Sequence, residues 1–165
     1  MAQLIKDGAL CDNSWIRVTP EDVEGIPASG DIIVSLSCWQ EQKDMLKDHN
    51  GKVAVCLEPG QEPAEIADDL AELPMIAINF PVFADGRGYS YARELRTRYG
   101  YQGEIRAVGD VLQDQLFYMW RCGFNAFDVR ADKDAAEALK GLNDFTVTYQ
   151  ADARDPRPIY RRQPA

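Results

Sequence analysis

Met75-Ile76-Ala77-Ile78-Asn79-Phe80, a loop over 81–88, a helical pattern from Tyr89 to Tyr99, and then Glu104-Ile105-Arg106-Ala107-Val108 form the stretch on which the fold turns. A short, nearly continuous apolar run with no alternating polar face suits a strand buried on both sides. The first run stops at Pro81, and the helical pattern stops at Gly100, where a left-handed cap costs glycine little. Strand, helix and strand in this order make a βαβ unit of a parallel sheet, with a right-handed crossover.

The same rhythm extends in both directions. Toward the N-terminus, Asp31 to Leu36 and Lys52 to Leu57 read as strands. Between them, Cys38 to Lys47 suits a helix ended by His49-Asn50-Gly51, and Pro63 to Leu73 carries the helical stripe Ile66, Leu70, Leu73. Toward the C-terminus, Val111 to Cys122 reads as a helix closed by Gly123, Ala126 to Val129 as a strand, and Asp132 to Leu142 as a helix with Asp132 at its N-cap. Phe145-Thr146-Val147-Thr148-Tyr149 suits a sixth strand. The repeating units thus occupy residues 31–149. Before them, residues 1–18 predict a hairpin that pairs Gln3-Leu4-Ile5-Lys6 with Trp15-Ile16-Arg17-Val18, and Thr19 to Gly30 a loop. After them, Pro156, Pro158 and Pro164 predict an extended tail over 150–165. The expectation is one α/β domain over 1–165, with a mainly parallel sheet covered by helices on both faces. A flavodoxin-like open sheet and a partial β/α barrel both fit, and five units are too few for a complete eight-unit barrel.

Charge is unevenly spread along the chain. The formal net charge is -9, and residues 1–79 hold five Lys/Arg against fifteen Asp/Glu. Residues 80–130 hold seven of the twelve arginines and none of the six lysines. So acidic a first half argues against nucleic acid as a partner, because such binding draws on neutralised phosphates. The chain has no run of membrane-spanning length and no signal peptide, so the expected location is cytoplasmic, with no membrane partner and reduced thiols. The cysteines Cys11, Cys38, Cys56 and Cys122 contain no Cys-x-x-Cys, so no zinc or iron–sulfur site is expected. No cofactor is indicated. The lone His49 lies in a polar turn, which argues against a Ser/His/Asp triad.

Two loops follow strands in the arginine-rich stretch, at the sheet end where ligands bind. In Asp85-Gly86-Arg87-Gly88-Tyr89-Ser90, two glycines, Ser90 and a helix start are the ingredients of an anion cradle, and Arg87 is a fork for an oxyanion. A tight turn capped by Asp85 with an exposed Arg87 fits equally well. Arg106 interrupts a buried strand and there needs a partner, for which Asp85, Asp110 and Asp128 are the candidates, unless the pleat turns it to a solvated edge or end of the sheet. Gly109-Asp110 repeats the cradle layout, although Asp110 also suits a helix N-cap. The candidate ligand-binding residues are therefore Arg87, Gly88, Ser90, Arg106 and Gly109, with Asp85 and Asp110 as candidate acid/base groups. Asp110 and Asp114 share a helix face, an arrangement commoner as helix-start charge than as a metal site. Cys38 follows a strand near a helix start, which would lower its pKa; a buried free thiol is the commoner case. Phe117, Tyr118, Trp120 and Phe124 suit core packing and the interface of a homodimer alike.

The run Phe83-x-Asp85-Gly86-Arg87-Gly88-Tyr89-Ser90, followed by Ala92-Arg93-x-Leu95-Arg96, Gly103 to Val111, Asp114-Gln115 and Arg121-Cys122-Gly123-Phe124, resembles the bacterial family called domain of unknown function 934. The resemblance implies a link to assimilatory sulfite and sulfate reduction, in whose gene neighbourhoods members are found and where they are described as oxidoreductases. It carries no catalytic residues. It fits the small anion read from Arg87 and Arg106, and it implies sulfite reductase, or a related sulfur-assimilation enzyme, as partner. Two functions stay open: an anion-binding accessory of the reductase, and a small α/β enzyme using Asp and Arg on an anionic substrate.

Overall fold

A computed structural model describes residues 3–18 and 25–162. Its centre is the apolar series read above. The strands are β4 (Ile32–Ser35), β5 (Val53–Leu57), β6 (Met75–Phe80), β7 (Glu104–Gly109) and β8 (Ala126–Phe127). They lie side by side in chain order, all parallel. Helix α1 (Leu36–Lys47) links β4 to β5, α2 (Arg87–Thr97) links β6 to β7, and α3 (Gln113–Cys122) links β7 to β8. Ser35 caps α1 by accepting from the Cys38 N–H at 3.2 Å. The link from β5 to β6 is a 3₁₀ segment, Pro63–Asp69, where an α-helix to Leu73 was expected. Ile66 is still buried, so the apolar stripe keeps its anchor in a tighter coil. The last helix, α4 (Ala135–Leu139), is shorter than expected, and Asp134 rather than Asp132 caps it by accepting from the Ala136 and Glu137 N–H groups.

The N-terminal segment departs from expectation. Gln3–Lys6 (β1) pairs antiparallel with Ala9–Asp12 (β2) across the Asp7-Gly8 turn, not with the Trp15 segment. β1 adds antiparallel to β8, while Ile16–Arg17 (β3) adds parallel to β4 at the far edge. The result is one mixed eight-stranded sheet, β2-β1-β8-β7-β6-β5-β4-β3, mostly parallel. From β3 to β8 the strand order follows the chain without the reversal that a flavodoxin-like sheet contains. Edge strands β2 and β3 are joined only by Asn13-Ser14-Trp15, a link reaching about 14 Å at most. In a flat eight-stranded sheet those edges would stand about 34 Å apart. The sheet is therefore curled.

The curl separates two faces. Ile76, Ile78, Ile105 and Phe127 look outward and pack with Trp39 of α1, Leu95 of α2 and Met119 of α3. The inner face carries Ile33, Ala54, Cys56, Met75, Ala77 and Val108, with Trp15 of the connector laid against them and no helical residue in the cluster. Helices thus cover one face, contrary to the two-faced expectation. The strands read as continuously apolar because the other face is closed by small side chains and the connector. Phe145 to Tyr149 forms no strand. Of the expected loop Thr19 to Gly30, residues 19–24 lie outside the described residues, as does Pro164 of the tail. No described helix is long and apolar enough to cross a membrane.

Candidate functional site

At the C-terminal ends of the parallel strands, the loops after β6, β7 and β8 are tied into one rim. Asp110, just past β7, accepts from the Phe83 N–H of the β6–α2 loop at 3.0 Å. Its other oxygen accepts from Arg130 Nη1 of the loop after β8 at 2.8 Å, and Arg130 also donates to Asp132 at 2.6 Å. Asp110 is therefore a loop tie rather than the N-cap of α3. On the same rim Arg87 donates to both Asp85 oxygens, Nε at 3.0 Å and Nη2 at 2.7 Å. The Arg87 guanidinium holds the Asp85 carboxyl below the usual carboxylate range. The Asp85 turn expected as the plain alternative is also present, with the Arg87 N–H donating to Oδ1 at 3.2 Å.

Inside the rim, four strands end on a polar side chain facing the concave side. Arg17, the last residue of β3, donates to Glu58 after β5 at 3.0 Å, and Asn79 of β6 donates to the second Glu58 oxygen at 2.6 Å. Asp128, just past β8, accepts from Asn13 Nδ2 at 3.4 Å. Burial raises the Asp128 pKa, and the nearby charges of Arg106 and Arg17 only partly offset that. The group is thus a carboxyl that keeps its proton to a higher pH than an exposed aspartate. Deeper in, Arg106 is 1% exposed. Its carboxylate is Glu104, two residues before it on the same strand, at 2.6 Å, not any of the three aspartates expected. Lys6 completes the pair from β1, 2.8 Å from Glu104 Oε2. Arg106 also donates to Asn13 Oδ1 at 3.1 Å and lies 5.7 Å from the Trp15 ring centre. Each nitrogen of the Arg106 guanidinium therefore has an acceptor, which its burial requires.

The residues expected as one site divide between the two faces. Arg106 bonds Glu104 and Asn13 on the inner face, whereas Arg87 bonds Asp85 of its own loop at the start of α2, so the two guanidiniums share no partner among the described residues. Gly88 is buried for packing: a Cβ there would stand 2.7 Å from Phe80 Cζ and 2.8 Å from Ile78 Cγ2. Ser90 lies on α2, exposed and without a place in the inner network. Gly109 has φ +96°, and its backbone sits so close to β6 that a Cβ would stand 2.5 Å from Asn79 Oδ1 and from Phe80 O. Both glycines bring the rim loops close to the sheet. Cys38 is buried, the commoner of the two cases weighed for it, and desolvation raises its pKa rather than lowering it. Burial also pushes the Cys56 thiol up to about 12. Neither is a reactive thiolate. Among the described residues no group of three or more His, Cys, Asp or Glu is placed to hold a metal ion.

Sequence reasoning missed Arg17, Glu58 and Asn79 as members of a site. The available signal was that each stands at the end of an apolar strand. The family model described as "Bacterial protein of unknown function (DUF934)" matches residues 54–160. No curated protein matches the chain.

Proposed function

The chain belongs to the DUF934 family of bacterial proteins, and from that premise we propose that it serves assimilatory sulfite or sulfate reduction by binding a small oxyanion at the strand C-terminal rim. We read the curled sheet as a partial β/α barrel, in which that end is the functional one. The observation that carries the reading is the Asp85–Arg87 latch. The Arg87 side chain is 58% exposed and, among the described residues, is held only by a carboxylate of its own loop. Such solvent-exposed pairs contribute little to stability, so an incoming oxyanion can exchange for Asp85 at small cost and gain the same two-pronged bond. Arg130, exposed between Asp110 and Asp132, is a second fork on the rim. The protein would act as an accessory in the cytoplasm, with the acidic first half as the surface offered to the reductase.

Melting-temperature measurements with sulfite, sulfate and phosphate test this reading. A ligand that binds the folded state raises the midpoint by mass action. The expected result is a rise that Arg87→Ala abolishes. An equal rise in wild type and Arg87→Ala would show that the latch holds no ligand.

One observation favours an enzymatic reading. Asp128 is a partly buried carboxyl with a raised pKa near Arg17, itself paired with Glu58, which suits a general acid at a barrel mouth. Asp85 and Asp110, both bound by arginines, would then serve as fixed negative charge. Turnover of a sulfur oxyanion that Asp128→Asn stops, with no loss of stability and with Arg87-dependent binding preserved, would select it over the accessory role.

A further inference from the structure

We propose a second anion-binding site at the opposite end of the molecule, where Arg96 and Arg154 line a cavity of about 370 Å³ together with Asp7, Gln102 and Asn125. The site goes beyond the rim reading and does not depend on it. All its elements lie at the N-terminal ends of the parallel strands. Gln102 precedes β7, Asn125 precedes β8, and Asp7 is the hairpin turn after β1, whose last residue, Lys6, faces the start of β8. Arg96 comes from the last turn of α2, and Arg154 from the tail folded back over α3.

The side chains of these two arginines bond carbonyls rather than carboxylates. Arg17, Arg87, Arg106, Arg121 and Arg130 each hold a carboxylate. Arg96 instead donates to the carbonyls of Gly123 at 3.0 Å, Tyr101 at 2.7 Å and Gly103 at 2.8 Å, and to Asn125 Oδ1 at 3.3 Å. Arg154 donates to the carbonyls of Trp120 at 2.7 Å and Phe124 at 2.6 Å, and stacks 4.3 Å from the Trp120 ring centre. Carbonyls at the end of α3 satisfy N–H groups and interact well with positive charge, but they do not cancel two full charges. Asp152 bonds the Arg121 side chain at 3.0 Å and acts on the Arg154 guanidinium only through space, while Asp7, itself bound by Asn125 Nδ2 at 3.0 Å, is the one carboxylate in the cavity lining and acts on both guanidiniums. Burial lowers the pKa of both arginines, and repulsion from Arg154 adds to the effect at Arg96. Of the five N–H groups that an arginine carries, the Nη1 pair of Arg154 donates to nothing among the described residues. A cavity lined mostly by polar side chains, with two guanidiniums against one carboxylate and with open donors, fits a sulfate, phosphate or carboxylate group on a small polar compound.

Titration calorimetry on the full chain with inorganic phosphate, sulfate, sulfite and acetate tests the site. The expected result is saturable binding that weakens as sodium chloride is added. Arg154→Gln should weaken it about tenfold or more, through loss of a charged donor. Asp7→Asn should tighten it, because a competing negative charge is removed. The residue at 7 has φ +49°, a conformation asparagine tolerates, so this variant keeps the turn. The order of affinity between acetate and the tetrahedral anions assigns the ligand class. No saturable binding by any of the four anions would overturn the proposal. So would binding that Arg87→Ala abolishes but neither Arg154→Gln nor Asp7→Asn alters, because the anion would then sit on the rim.

Discussion

Asp128 joins local chemistry to stability in a way that can be measured. Its folded pKa lies above the ordinary carboxylate value of about 3.9. Between those two values the native state binds more protons than the unfolded chain, so stability falls as pH rises through that window. Asp128→Asn removes the titration. We expect the variant to melt higher than wild type at neutral pH, with the difference vanishing once the pH drops below about 3. Equal melting across the range would show that the carboxyl is not held protonated. The glycines of the rim have a different cost. Gly109→Ala must adopt φ +96° and meet the β6 backbone, and Gly88→Ala drives a methyl into Phe80 and Ile78. Each should cost about 1–3 kcal/mol by urea denaturation. A neutral Gly88→Ala would mean that α2 can lift from the sheet without loss.

Among the elements, the short connector Asn13-Ser14-Trp15 does the most for its length. Asn13 accepts from the Trp15 N–H at 3.2 Å and from Arg106, and its amide nitrogen reaches Asp128. Asn13→Ala leaves a buried guanidinium one acceptor short, and we expect a loss of about 1–3 kcal/mol in chemical denaturation. Trp15→Ala, which uncovers the inner apolar cluster, should cost about 3 kcal/mol or more. Losses below about half a kcal/mol in both variants, the range of an ordinary surface change, would mean that the curl holds without its connector. The sequence pattern located the strands and helices well, because their apolar runs are local and unambiguous. It mispaired the hairpin because Asp7-Gly8 and Asp12-Asn13-Ser14 are both turn signals, and the choice between them rests on distant partners, β8 and β4. Phe145 to Tyr149 has the composition of a strand, yet no edge of this sheet takes it up. Propensity yielded to tertiary context there.

For the whole molecule, an acidic chain folds into a curled sheet with helices outside and a closed polar network within. Ala54, Ala77 and Cys56 look as apolar in sequence as Ile76 and Ile78, so the one-sided helix layer was not legible from hydropathy. The rim was legible in part, since the loops after β6 and β7 do stand at the expected end and touch through Asp110 and Phe83. The inner residues Arg17, Glu58 and Asn79 were not, because they come from separate strands, and Asp128 was legible only as a candidate partner of Arg106. Binding of an oxyanion on the rim is most directly tested by a ¹H–¹⁵N NMR titration of the full chain with sulfite. Saturable shifts are expected at the backbone amides of 83–90, 109–111 and 130. Shifts confined to the Arg96–Arg154 end, or none at any amide, would contradict rim binding.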